Sequence, residues 1–149
     1  MSLPVEADFA VVSMGNGASP EVFTILCGME QVSINRVANT NDRFRRDCAA
    51  PGTPAYRRSR TTGKQMDITA SGAINIPDIA RYNEALGKGR NYRIELGQYD
   101  ETPEGEVIHT IAGRFNLTSA NSGVGDEGTA EVTLASDGVW TETTDLPSA

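Results

Sequence analysis

The chain has 149 residues, of which 38% are hydrophobic, 22% charged and 6% aromatic. That is one domain's length with enough apolar residues for a core of Val, Ile, Leu and Ala, and it excludes the low-hydrophobicity, high-charge composition of a disordered chain. No window approaches the roughly 20 apolar residues that a membrane-spanning helix needs, and Met1 to Asp8 lack the basic and apolar regions of a secretory signal, so synthesis in a cytosol with no membrane anchor is expected.

In chain order, Asp8–Ser13 and Val22–Cys27 read as short apolar strands, joined by the turn formers Gly15, Asn16, Gly17 and a Ser-Pro pair. Gln31–Val37 alternates, with Val32, Ile34 and Arg36 on one face and Ser33, Asn35 and Val37 on the other. Residues 39–63 show no sustained period and read as a long loop with at most short extended pieces, of the kind that is functional or ordered by a partner. From Gln65 the period of two returns, placing Met66, Ile68 and Ala70 on one side. A short helix follows: Pro77 and Asp78 suit its first turn, Ile79, Tyr82 and Leu86 form a stripe, and Gly87 stops it. About ten residues do not form a stable helix alone, so it must pack on the sheet.

Tyr92–Leu96 and Val107–Ile111 are the next strands, with Phe115 and Leu117 continuing the second after a bend at Gly113. Ala130–Ala135 alternates as a further strand, and Asp137-Gly138 signals a hairpin before Val139–Thr143. The sum is a mainly β protein, a sandwich or barrel of about eight strands with one short flanking helix. Residues 1–149 form one domain, and residues 144–149 are expected to be a flexible tail.

The motifs that could carry catalysis fail on context. Gly123 to Gly128 spells GxGxxG, but a strand follows where a dinucleotide site needs a helix N-terminus. His109, the only histidine, lies in an alternating strand with no nucleophile motif beside it. Asp100, Glu101, Glu104 and Glu106 lack the order and the glycine of a calcium loop. No catalytic residue, cofactor or metal site is expected. Cys27 and Cys48 have neither CxxC spacing nor a histidine cluster, which argues against zinc. A bridge between them is a possible disulfide that would contribute roughly 3 kcal/mol in the chain-entropy model, while cytosolic synthesis favours free thiols.

Charge is the strongest oddity. The net charge is −7, yet Arg36 to Lys64 hold eight basic residues against Asp42 and Asp47, a net +6 that leaves −13 on the rest. The segment could bind nucleic acid, although the acidic body would repel a polyanion and only Phe44 and Tyr56 offer stacking. It could be a solvated loop. Or Arg43, Arg45, Arg46, Arg57, Arg58 and Arg60 could dock on an acidic surface of another copy, since guanidinium forks onto carboxylates.

One ordered combination of segments points to a family: Cys27-Gly28 after an apolar strand, a long loop with Asp47-Cys48 and Pro51 to Tyr56, and Met66 to Gly72 before a short helix and Gly89 to Leu96. Gly113 to Ser119 and Glu131 to Gly138 complete it. From Val22 to Gly138 the chain resembles the major tail tube proteins of long-tailed bacteriophages and gene transfer agents, with Tyr56 standing where a Trp is expected. The resemblance implies hexameric rings joined through their strands and stacked into a hollow tube that conducts DNA. It also implies a long loop reaching a neighbouring subunit or ring, an acidic lumen, and no catalytic residues. The partners implied are other copies of the chain and tail proteins such as terminator, tape measure and distal tail proteins, with DNA only in transit. The implied location is the virion tail, after synthesis in the host cytoplasm. The tube of a contractile tail or secretion-like system, a head–tail connector and, further off, a monomeric nucleic-acid-binding β-barrel are the alternatives.

Overall fold

A computed structural model describes residues 3–146. Seven strands and one helix follow in the order β1 (Phe9–Gly15), β2 (Phe23–Ile25), β3 (Met29–Arg45), β4 (Tyr56–Ala73), α1 (Ile76–Ala85), β5 (Gly89–Gln98), β6 (Glu106–Gly123) and β7 (Thr129–Thr144). They form a single antiparallel sheet in the order β2-β1-β5-β6-β7-β4-β3. The sheet curls so that β3 packs back against β1 and both ends close over one core, the sandwich-like, mainly β architecture that the sequence implies.

Alternation decides which face is buried. Val12 and Met14 on β1, Met66, Ile68 and Ala70 on β4, Tyr92 and Ile94 on β5, and Ala130, Val132 and Leu134 on β7 all point inward. Ile111, Phe115 and Leu117 join them from β6. On this face Tyr92 meets the ring of Phe115 edge-on, with centroids 6.3 Å apart. The helix adds Tyr82 and Ala85 to the core, whereas Leu86 is half exposed and contributes a backbone bridge to Leu117 instead. The fully buried Asp78 carboxylate accepts a hydrogen bond from Asn75 Nδ2 at 2.9 Å and pairs with Arg81, which ties down the first turn.

Burial also marks two phenols. Desolvation, with the Asp78 charge second for Tyr82, pushes both Tyr82 and Tyr92 up to about 12. The Tyr92 hydroxyl is buried without a hydrogen-bond partner among the described residues. The folded state therefore keeps phenolic protons that the unfolded chain releases from about pH 10 upward. This contribution to stability is full below pH 10 and lost as pH climbs towards 12. Tyr92→Phe removes an unsatisfied hydroxyl and is expected to leave stability unchanged or raise it by about 1 kcal/mol. Thermal melts from pH 8 to 12 should fall less steeply in the variant, and a drop of several degrees at pH 8 would show that the hydroxyl is satisfied after all.

Three local expectations need correction. Asp137-Gly138 does not turn a hairpin but kinks one continuous strand: Gly113 pairs with Trp140 and Phe115 with Ser136, so three residues of β7 oppose Arg114 alone. Gly138, at φ 104°, supplies the backbone conformation this bulge needs. With β6 likewise unbroken, seven strands replace eight. Residues 39–63 are not a long loop, since β3 and β4 stay paired from Met29↔Gly72 to Arg45↔Tyr56, leaving only residues 46–55 as the turn. At the C-terminus β7 runs to Thr144, and the Asp145 amide donates to the Ile108 carbonyl at 2.8 Å. Residues 147–149 of the expected tail lie outside the described residues.

Candidate functional site: a forked sheet and its arginine arm

The β7 kink splits the sheet. β4 follows β7 only from Ala73↔Thr129 to Asp67↔Ala135, and beyond Ser136 β7 continues along β6 alone. From there β3 and β4 leave the body as a two-stranded ribbon, paired from Val37↔Gln65 to Arg45↔Tyr56. Nine residues separate Arg36 from Arg45, so the ribbon is about 30 Å long. Residues 38–62 are exposed on both strands except for Ala50 in the turn. The turn is held by its own hydrogen bonds: the Ala49 amide donates to Asp47 Oδ1 at 3.0 Å, the Ala50 amide to the Asp47 carbonyl at 3.2 Å and the Thr53 amide to the Ala50 carbonyl at 3.1 Å.

Register assigns the arginines to faces, because directly opposed residues point to the same side of a ribbon. Arg43↔Arg58, Asn41↔Arg60 and Arg45↔Tyr56 put four of the six predicted arginines on one face. Phe44↔Arg57 and Asp42↔Ser59 occupy the other, and Arg46 stands just beyond β3. Like charges directly opposed, as in Arg43 and Arg58, destabilise an isolated ribbon. Among the described residues none of the six arginines reaches a carboxylate. Phe44 and Tyr56 are 68% and 78% exposed. A two-stranded ribbon that buries nothing is marginal in water, so this surface suits an anionic partner outside the chain.

One brace spans the fork. Arg36 Nε donates to Glu142 Oε1 at 2.8 Å, linking β3 to the far half of β7, and the Met66 amide donates to Ser136 Oγ at 3.1 Å at the split itself. Half-exposed pairs of this kind contribute under about 1 kcal/mol. Glu142→Gln is therefore expected to speed amide exchange across Val37–Lys64 about threefold, with strands β5–β7 unchanged. Equal rates in hydrogen-exchange mass spectrometry would show that the brace does not hold the arm.

The other sites considered from sequence resolve simply. Cys27 and Cys48 are free, exposed thiols at opposite ends of β3. A strand of that length spans about 50 Å, far beyond the roughly 7 Å Cα limit of a disulfide, so the two thiols stand too far apart for the possible bridge within one chain. His109 Nδ1 lies 2.8 Å from Thr144 Oγ1 on the surface of β6. Asp100 is held below the usual carboxylate range by hydrogen bonds from the Thr102 hydroxyl and amide in an exposed turn. Gly123–Gly128 links β6 to β7 with no helix after it. Among the described residues no group of three potential metal ligands occurs and no helix is long and apolar enough to cross a membrane.

The uncovered face of the sheet is as regular as the core. Gln31–Ser71–Glu131–Asn121, Ser33–Thr69–Thr133–Ser119 and Asn35–Asp67–Ala135–Asn116 form three rows across β3, β4, β7 and β6. Apart from Ala135 every residue in them is polar, and none is basic. The sequence reading missed these rows, because they exist only once the register of all four strands is known.

No protein-family model and no curated protein matches the sequence. Solved structures do match, over nearly the whole of both chains. A chain of the tail of an empty gene transfer agent particle, refined helically with C6 symmetry, superposes with a TM-score of 0.61 at 16% identity, over 89% of this chain and 96% of that one. A chain of the sheath/tube terminator of an extracellular contractile injection system gives 0.62 at 14% identity, covering 97% and 99%. One from the six-fold symmetrised baseplate of the anti-feeding prophage gives 0.67 at 11%, covering 97% and 98%. The protein thus shares the fold of tail and injection-system components, as the resemblance read from its sequence implies.

Proposed function

We propose that the protein is a non-enzymatic tail tube subunit: six copies close into a ring, and rings stack into a hollow tube in the virion through which DNA passes during delivery. The observation that carries this reading is a fold shared, nearly end to end, with a chain of a C6-symmetric gene transfer agent tail and a chain of a six-fold symmetrised baseplate. The sheet suits the role. Ring closure removes the open edges that an isolated sheet would leave free to aggregate, and here such edges run along β3, β2 and both sides of the fork. The three polar rows suit a lumen wall, because Ser, Thr, Asn and Gln flanked by Asp67 and Glu131 offer a passing polyanion no cation to bind. The arm fastens one subunit to another, and terminator, tape measure and distal tail proteins meet the ends of the tube.

A second reading, the tube of a contractile tail or injection system, is favoured by the likeness to a chain of an extracellular contractile injection system. A head–tail connector fits the same fold with fewer stacked rings. Purified protein should sediment as rings or polymers and show tubes with a central hole in negative stain. A strict monomer with salt-sensitive affinity for duplex DNA would overturn both tube readings in favour of a nucleic-acid-binding barrel.

A further inference from the structure

The ribbon carries its charge away from the body. Residues 39–63 hold six arginines against Asp42 and Asp47, a net +4 that leaves −11 on the remainder. Asp42 lies on the face opposite Arg43, Arg45, Arg58 and Arg60, and Asp47 accepts the Ala49 amide within the turn. The arginine face therefore presents four cations, Asn41 and Tyr56 with no carboxylate among them. Arg43 stands six residues beyond Val37, where the arm leaves the body, and Arg45 eight, about 20 and 26 Å along an extended strand. The Debye length at 0.1 M salt is about 10 Å. The acidic body, which argues against a polyanionic partner when the sequence is read alone, is thus largely screened from this face.

We infer that in the free subunit the arginine face of the arm binds duplex DNA, without sequence specificity, by lying along the major groove. Three features select this partner. Two strands about 5 Å apart make a ribbon that a major groove about 12 Å wide admits. The arginines occupy successive levels over about 13 Å, from Arg60 to Arg45. Duplex DNA carries one phosphate charge per about 1.7 Å of its axis, so it meets all four together. The turn, residues 46–55, holds no aromatic, Leu, Ile, Val or Met side chain to enter a bilayer, which separates this arm from a membrane anchor. Phosphate contacts on a duplex need no stacking platform, so the shortage of aromatic side chains is no obstacle.

The inference goes beyond the tube reading, and one consequence rests on that reading. An arm held by DNA is not free to fasten a neighbour, so DNA and assembly compete for the same arginines. In a finished tube the arms are engaged, and DNA in transit meets the polar rows instead.

Fluorescence anisotropy with a labelled duplex, at protein concentrations below those at which tubes form, provides the first test. Four phosphate contacts predict a slope of about −3.6 for log affinity against log salt, a loss of about 150-fold between roughly 50 and 200 mM. Arg43→Gln/Arg58→Gln should halve the slope, to a loss of about 12-fold, and it relieves an opposed pair far from the core. Lys88→Gln/Arg114→Gln removes two cations from the body and should leave the slope unchanged. A slope that the arm variant does not alter, or no binding in low salt, overturns the inference. Duplex RNA of the same sequence has a major groove too deep and narrow to enter and should bind about tenfold more weakly. Equal affinity for the two duplexes overturns the groove placement.

Competition is read from assembly. Duplex DNA at about ten times its Kd should raise the concentration at which tubes appear about tenfold, because only the free arm assembles. Nuclease digestion should restore it, and tubes that form unhindered on saturating duplex overturn the competition. The outcomes keep the two levels apart. A chain that polymerises but shows no DNA affinity overturns the inference and leaves the tube reading standing. A strict monomer that binds DNA through the arm upholds the inference and overturns the tube.

Discussion

Replacing Gly72 by alanine is expected to cost about 3 kcal/mol, the range of severe core clashes, and to lower the melting temperature by about 10 °C in a domain of this size. The reason lies at the root of β3 and β4, where the pairing slips between Met29↔Gly72 and Gln31↔Ser71. A Cβ on Gly72 would lie inside van der Waals contact of the Gly28 carbonyl oxygen and 3.0 Å from the Glu30 amide. One on Gly28 would meet the Ala73 carbonyl in the same way. That same Gly28 carbonyl accepts the Ala73 amide at 2.9 Å, so the clash cannot be relieved without losing a strand-to-strand hydrogen bond. Both obstacles are backbone, which cannot swing aside as a side chain would. Gly63→Ala is the control: its new methyl finds only Asn39 Nδ2, at 3.9 Å, and should shift stability by under about 0.5 kcal/mol. Equal melting temperatures for the two variants would show that the β3–β4 root is not closely packed.

Excising the arm is expected to have the opposite profile, abolishing assembly while sparing the fold. Ala38 and Lys64 are directly paired, so residues 39–63 can be replaced by Asn-Gly, whose type I′ turn matches the twist of the flanking strands. The segment contributes no buried side chain to the core, and its removal eliminates the opposed Arg43 and Arg58. The melting temperature should change by no more than about 3 °C, equivalent to roughly 1 kcal/mol in a chain of this length. Sedimentation should show no tubes at concentrations where wild type polymerises fully. Tubes of normal length from the excised chain would mean that sheet edges alone build the assembly, and a collapse in melting temperature would mean that the arm packs on the body.

What could be read from the sequence follows from where burial writes a pattern. Met66 to Ala70, Tyr92 to Leu96 and Ala130 to Ala135 alternate because one of their faces meets the core, and each was identifiable as a strand. So was the short helix, from Pro77, Asp78 and Gly87. The ribbon from Thr40 to Arg45 and from Tyr56 to Thr61 is equally regular in its hydrogen bonds, yet neither face is buried. Its residues carry no hydrophobic period, and it read as a loop. Asp137-Gly138 misled for a related reason: a bulge and a hairpin ask for the same residue types, and only the partner strand distinguishes them. The six arginines stood out as charge, but their division between two faces needed the register, as did the distance between Cys27 and Cys48.

The fork in the sheet separates two kinds of evolutionary constraint. Substitutions in the body are screened by whether Phe115, Ile68 and Leu134 still pack, whereas those beyond Ala38 and Lys64 leave that packing untouched. The arm can therefore diverge faster than the domain that carries it. On the tube reading proposed above, two such proteins expressed in one cell would share a fold and still sort into separate tubes wherever each arm matched only its own kind.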